Sequence, residues 1–91
     1  MAKKKATKIE KERMAKVARL PCCVCSDYPV EVHHITQCGR RLGHMFTLPL
    51  CVEDHRGNRG FSGVNRSEWD KSLENQLRLL EIVNQQLEDL L

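Results

Sequence analysis

Aromatic side chains are nearly missing from this chain of 91 residues: one Trp, one Tyr and two Phe, 4% in all. Large groups for a core are few, and a chain of this size buries only about 60% of the surface it exposes when unfolded. No run of about 18 apolar residues occurs, which excludes a transmembrane helix. The N-terminus is basic and has no apolar stretch of the signal-peptide kind, and the cysteines number five, an odd count. Both features argue against a secreted domain stapled by disulfides. Against these absences stand the five Cys themselves and four His. Disulfides or a bound metal are the usual supports of so small a core, and in a chain without secretory features the thiols read as cytosolic metal ligands.

The net charge of +3 is unevenly laid out. Residues 1–19 carry six Lys and two Arg against Glu10 and Glu12, residues 20–66 are close to balanced, and residues 67–91 set Lys71 and Arg78 against six carboxylates. A basic start and an acidic end suit a nucleic-acid binder, although the basic run taken alone favours a solvated mixed-charge helix. Three segments follow: a basic N-terminal arm or helix at 1–20, a central module at 21–66 and an amphipathic helix at 67–91.

Lys3 to Leu20 lacks Gly and Pro and is rich in helix formers, with a thin apolar stripe through Ile9, Arg13, Lys16/Val17 and Leu20 that leaves the first residues frayed. Pro21 ends it. All five Cys, four His, five Gly and three Pro then fall between Pro21 and Asn65. Val30–Val32 and Phe46–Leu50 read as short extended pieces, Pro49 requiring an edge or bulge, with a Gly39–Gly43 loop between them. Ser67 and Asp70 resemble a capping box that opens the last helix. Its positions 73, 77, 80, 84, 87 and 91 form a coiled-coil seam in which Asn84 is the one polar member. That seam packs either within the chain or, past Leu80, on a partner helix, so that a monomer and a homodimer through Leu73–Leu91 both stand open.

Cys22 and Cys25 have the C-x2-C spacing that brings two thiolates to one tetrahedral zinc. Cys51 supplies a second knuckle with Asp54 or His55. Asp54 is an uncommon ligand for structural zinc, and Cys38 and His44 are alternatives. Cys23 reads as a buried filler. The tandem His33-His34 ends a strand, where successive side chains face opposite ways, so that a bend places one on a metal and leaves the other free for proton transfer.

The order C-x2-C, strand ending in His-His, Gly-containing loop and Leu-Cys-x-x-x-His-Arg resembles the HNH (His-Me finger) endonucleases. More narrowly, His33-His34-Ile35-Thr36, Gly39–His44, Thr47–Cys51 and His55-Arg56-Gly57 resemble the phage recombination-enhancement (Ref-like) nucleases that depend on RecA. The likeness spans roughly residues 21–85. It implies an α+β fold, a zinc-stabilised ββα-metal core flanked by the basic N-terminal helix and the long C-terminal helix. It implies His34 as general base, His33 and His55 as ligands of a catalytic Mg²⁺ or Mn²⁺, and Cys22, Cys25, Cys51 and Asp54 as ligands of a structural Zn²⁺. The activity implied is phosphodiester hydrolysis of DNA in the cytoplasm of a bacterial host, by a phage or prophage protein linked to recombination, with a RecA-type filament as partner by resemblance only. The family's central Asn is missing, since Phe46 or Thr47 stands there, which leaves the Thr47 hydroxyl or a backbone carbonyl to orient the base. Asn58 is a weaker candidate as auxiliary ligand. Arg40, Arg41, Arg56, Arg59 and Arg66 suit phosphate contacts because guanidinium forks onto phosphate oxygens. With few aromatics to stack on bases, weak sequence preference is expected. Two other classes remain: a zinc-binding nucleic-acid or protein-interaction module without catalysis, and a dimerising adaptor built on the last helix.

Overall fold

The structure, a computed structural model, describes residues 5–57, 59–61 and 69–89. Helix α1 spans Lys8–Val17 and opens where Thr7 and Glu10 cap it reciprocally, close to the end of the stretch expected to fray. The Glu10 amide donates to Thr7 Oγ1 at 3.2 Å and the Thr7 amide to Glu10 Oε1 at 2.8 Å, so the free amides of the first turn find partners there.

Strand β1 (Val30–His34) pairs antiparallel with β4 (Thr47–Cys51), in a register from Val30 opposite Cys51 to His34 opposite Thr47. Pro49 is accommodated because a two-stranded sheet has only edges, and its carbonyl accepts from the Cys23 amide at 2.9 Å. The segment expected as a plain loop between them holds a small hairpin, β2 (Thr36–Gln37) and β3 (Arg40–Arg41). Its two turn residues, Cys38 at φ 51° and Gly39 at φ 77°, both lie in the left-handed region that a tight two-residue hairpin turn requires. A single helical turn, α2 (Val52–His55), follows β4 directly.

The last helix, α3, is Leu73–Asp89 and begins six residues later than the expected start. Ser67 lies outside the described residues. The cap is Ser72, whose Oγ accepts from the Asn75 amide at 3.1 Å, while the Ser72 amide donates to Asp70 Oδ1 at 2.9 Å. The seam of α3 is used within the chain: Leu80 and Val83 are buried with Val17, Leu20, Ile35 and Leu48, and Leu73, Leu77 and Leu87 pack against that cluster. Asn84, the one polar member of the seam, accepts from Arg13 Nη1 at 2.7 Å. A second cluster joins Cys22, Leu50, Cys51 and Trp69. The result is a small mixed α/β fold in which α1 and α3 pack on β4 and α2 closes the end of the ribbon. Among the described residues no helix is long and apolar enough to cross a membrane.

Candidate metal centre and histidine cluster

Cys22, Cys25, Cys51 and Asp54 converge, with one ligand atom from each lying within 4.8 Å of all the others. Local geometry explains each pair. At the first knuckle the Val24 amide donates to Cys22 Sγ at 3.4 Å and the Ser26 amide to the Cys22 carbonyl at 2.9 Å. Ser26 takes the left-handed conformation, φ 66°, that turns the chain back. At the second, Cys51 caps α2 and Asp54 stands one turn on, so both face the same side. The register that sets Val30 beside Cys51 brings the two knuckles together.

The donor set fits zinc. A tetrahedral site with Zn–S near 2.3 Å and Zn–O near 2.0 Å separates its sulfurs by about 3.8 Å and sulfur from oxygen by about 3.5 Å. Here Cys25 Sγ and Cys51 Sγ are 3.6 Å apart, and Asp54 Oδ2 lies 3.3 Å from Cys22 Sγ and 3.2 Å from Cys51 Sγ. Burial raises the thiols of Cys25 and Cys51 above their ordinary value, so loading a cation there releases protons. Asp54 is 1% exposed. Burial opposes its charge, but hydrogen bonds from Arg59 and from the thiols of Cys25, Cys51 and Cys22 outweigh burial and hold the carboxyl at about 2. Asp54 Oδ1 accepts from Arg59 Nε at 2.8 Å. Cys23 packs between the two apolar clusters, and burial pushes its thiol up to about 12, as suits a filler. Cys38 sits exposed at the hairpin turn and His44 faces His34, so neither alternative ligand joins the cluster.

Around the other end of the ribbon lie the histidines. Strand alternation puts Glu31 and His33 on one face and His34 on the other. On the first face the rings of His33 and His55 meet edge to face with centroids 5.1 Å apart. Each ring is held through one nitrogen. His33 Nε2 lies 2.9 Å from Gln76 Oε1; because Gln76 Nε2 donates to the Lys71 carbonyl at 2.9 Å, its Oε1 is an acceptor and His33 Nε2 is the donor. His55 Nδ1 donates to Glu31 Oε1 at 2.8 Å. The lone pairs of the neutral rings are therefore on His33 Nδ1 and His55 Nε2, an arrangement common to metal-ligating histidines. Phe61 stacks on His33 at 4.7 Å and meets Trp69 at 5.5 Å, linking this face to the second apolar cluster. Burial holds His33 below the ordinary imidazole value, against the pull of the Gln76 hydrogen bond.

On the second face His34 Nε2 and His44 Nδ1 are 3.1 Å apart. Burial, then the positive charges of Arg41 and His44, keep His34 below its ordinary value. The Thr47 hydroxyl donates to the His44 carbonyl at 3.2 Å, and it is His44 that reaches the His34 ring.

Arg40 and Arg41 form the exposed strand β3. Arg56 pairs with Glu31, Nη2 to Oε2 at 2.8 Å, and Arg59 with Asp54. Arg66 and Asn58 lie outside the described residues. Sequence reasoning missed Glu31, Gln76, Phe61 and the pairing of His44. Of these only Glu31 carried a signal, its place two residues before His33 on the same strand face.

The family model described as recombination enhancement, RecA-dependent nuclease matches residues 6–74, well over half of the chain, and the chain belongs to that family. No curated protein matches, and no solved structure matches.

Proposed function

We propose that this member of the RecA-dependent nuclease family is a metal-dependent DNA endonuclease of HNH type, with His34 as general base and a structural zinc on Cys22, Cys25, Cys51 and Asp54. The observation that carries the reading is the division of the tandem histidines: His33 turns to His55, with both rings leaving a lone pair free, while His34 turns to the opposite face. His33 and His55 would hold the catalytic divalent cation, Mg²⁺ or Mn²⁺. Bound there, such an ion supplies Lewis-acid polarisation of the scissile phosphate and charge for the leaving 3′ oxygen. Glu31 and Gln76 keep the two ligand rings in fixed tautomers. His34, kept neutral by burial and nearby positive charge, takes the proton of the attacking water. Arg40 and Arg41, exposed on the hairpin that leads from His34, would meet the phosphate backbone. Arg56 joins them from beside Glu31, whereas Arg59 acts chiefly on Asp54. The family description points to DNA held with a RecA-type filament as the substrate form.

The test is nicking of supercoiled plasmid and of filament-bound DNA by the zinc-loaded protein with Mg²⁺ or Mn²⁺. Wild type should cut and His34→Ala should be slower by about 10²–10⁴-fold, the range general-base catalysis supplies. A wild type inert on both substrates with either ion, or an equally active His34→Ala, would refute the reading and favour a non-catalytic binding module.

A further inference from the structure

The absence of the family's central Asn leaves the general base without its expected support, and the structure offers another. The turn after Leu42 carries His44 back onto His34, nitrogen to nitrogen at 3.1 Å, with ring centroids 5.2 Å apart and planes at 80°. The turn is tied at several points. The Phe46 amide donates to the Gly43 carbonyl at 3.1 Å and the Ile35 amide to the Phe46 carbonyl at 2.9 Å. The His44 carbonyl accepts from the Thr47 hydroxyl, whose oxygen accepts in turn from Arg13 Nε at 3.2 Å. Arg13 and Thr47 are both buried, so this brace runs from α1 through β4 to the His44 backbone.

Two neutral imidazoles that meet through one nitrogen each share a single hydrogen between them. The shared hydrogen then decides which ring keeps an outward lone pair. If His34 Nε2 donates, the free lone pair is on His34 Nδ1; if His44 Nδ1 donates, it is on His44 Nε2. We propose that His44 is a positioning residue that accepts from His34 Nε2–H and so keeps the lone pair of His34 on Nδ1, directed at the attacking water. This rests on His34 being the general base. In the step, one hydrogen of the water moves to His34 Nδ1 as its oxygen forms the new bond to phosphorus and the bond to the 3′ oxygen breaks. The imidazolium so formed keeps its Nε2–H on His44 Nδ1 and afterwards loses the Nδ1 proton to solvent, from which the 3′ oxygen is protonated. A side chain with an acceptor oxygen at the place of Nδ1 does the same work, and Asn has one.

The experiment compares zinc-loaded wild type, His44→Ala and His44→Asn by ¹⁵N–¹H correlation of the imidazole nitrogens and by nicking kinetics. In wild type at pH 8, His34 is expected as the Nε2–H tautomer. His44→Ala is expected to give a mixture of tautomers and a kcat lower by about 10-fold or more, toward the 10²-fold that loss of a general base costs at minimum, with KM unchanged. His44→Asn should restore the single tautomer and most of kcat. The proposal is overturned if wild-type His34 carries its hydrogen on Nδ1, if His44→Ala leaves tautomer and kcat unchanged, or if His44→Asn is as impaired as His44→Ala. An active His34→Ala would remove the general-base assignment itself, and the tautomer measurement separates that failure from a failure of the positioning role.

Discussion

Arg13 is 8% exposed on a helix where Ile9, one turn earlier, is 70% exposed, an inversion of what hydropathy alone would place inside. Its guanidinium reaches three acceptors. Nε donates to Thr47 Oγ1 at 3.2 Å, Nη2 to the Thr47 carbonyl at 3.1 Å and Nη1 to Asn84 Oδ1 at 2.7 Å. One side chain thus fastens α1 to β4 and to α3. Replacing it by Met keeps an unbranched stem in the same space and removes all three bonds. Asn84 lies on the exposed side of α3 and can turn to water. Thr47 is fully buried and cannot, so its carbonyl loses a partner at a cost of about 1–3 kcal/mol. Part of that is offset, because burial disfavours the charge of Arg13 and lowers its pKa, and Met removes this penalty. The net expectation for Arg13→Met is a destabilisation of about 1–2 kcal/mol, or a melting temperature lower by roughly 5–15 °C for a domain of this size. Arg13→Lys, which keeps the charge without the fork, should fall between. Urea unfolding followed by circular dichroism at saturating zinc measures both. A Met variant as stable as wild type would refute the reasoning, since the stem alone would then account for the burial. So would Lys and Met variants of equal stability, because the charge would then contribute nothing.

Arg59→Gln should weaken zinc binding at the cysteine and aspartate cluster by about 10–100-fold in competition with a chelator, as loss of a group orienting a ligand does; the same change in an Asp54→Asn background should cost nothing further, and independent losses would sink the coupling. Gly60→Ala places a Cβ 2.6 Å from the carbonyl carbon and oxygen of His55 and 2.7 Å from the Arg56 amide, all backbone, so the chain must shift. A loss of about 1–3 kcal/mol is expected in the same unfolding assay, with displaced His55 ring resonances, and an unperturbed His55 would count against it. For His33 the folded pKa is lowered by burial, so the unfolded chain takes up the proton first. That contribution to stability is complete above about pH 6.5 and is lost as pH falls through 6.5 toward the folded value. His33→Gln should therefore lose stability less steeply than wild type between about pH 7 and pH 5; parallel curves would exclude His33 as the source.

What could be read in advance, and what could not, follows the chemistry of the residues. The cluster of Cys22, Cys25, Cys51 and Asp54 was legible because few side chain types suit such a metal site and both pairs are local, Cys22 with Cys25 and Cys51 with Asp54. The seam of α3 was legible as a pattern, but its partner was not, since the spacing of Leu73, Leu77, Leu80 and Leu87 is the same whether the facing surface belongs to this chain or another. The start of α1 was legible as the end of a frayed stretch, and Thr7-x-x-Glu10 marks the same place more sharply as a capping box. The groups that hold the histidine rings were harder to see, for a different reason. Glu31, Gln76 and His44 each hold one nitrogen of one histidine, and they are a carboxylate, an amide and an imidazole. An acceptor is all that the job demands, so residue type carries no signal. Distance removes what remains: Gln76 is 43 residues from His33, and Asn84 is 71 from the arginine it caps. Ligands are constrained by what the metal accepts, and orienting groups only by where the fold delivers them. Under the proposed role of His34, the central Asn is replaceable on the same argument, because any acceptor that the loop before β4 returns to His34 would serve.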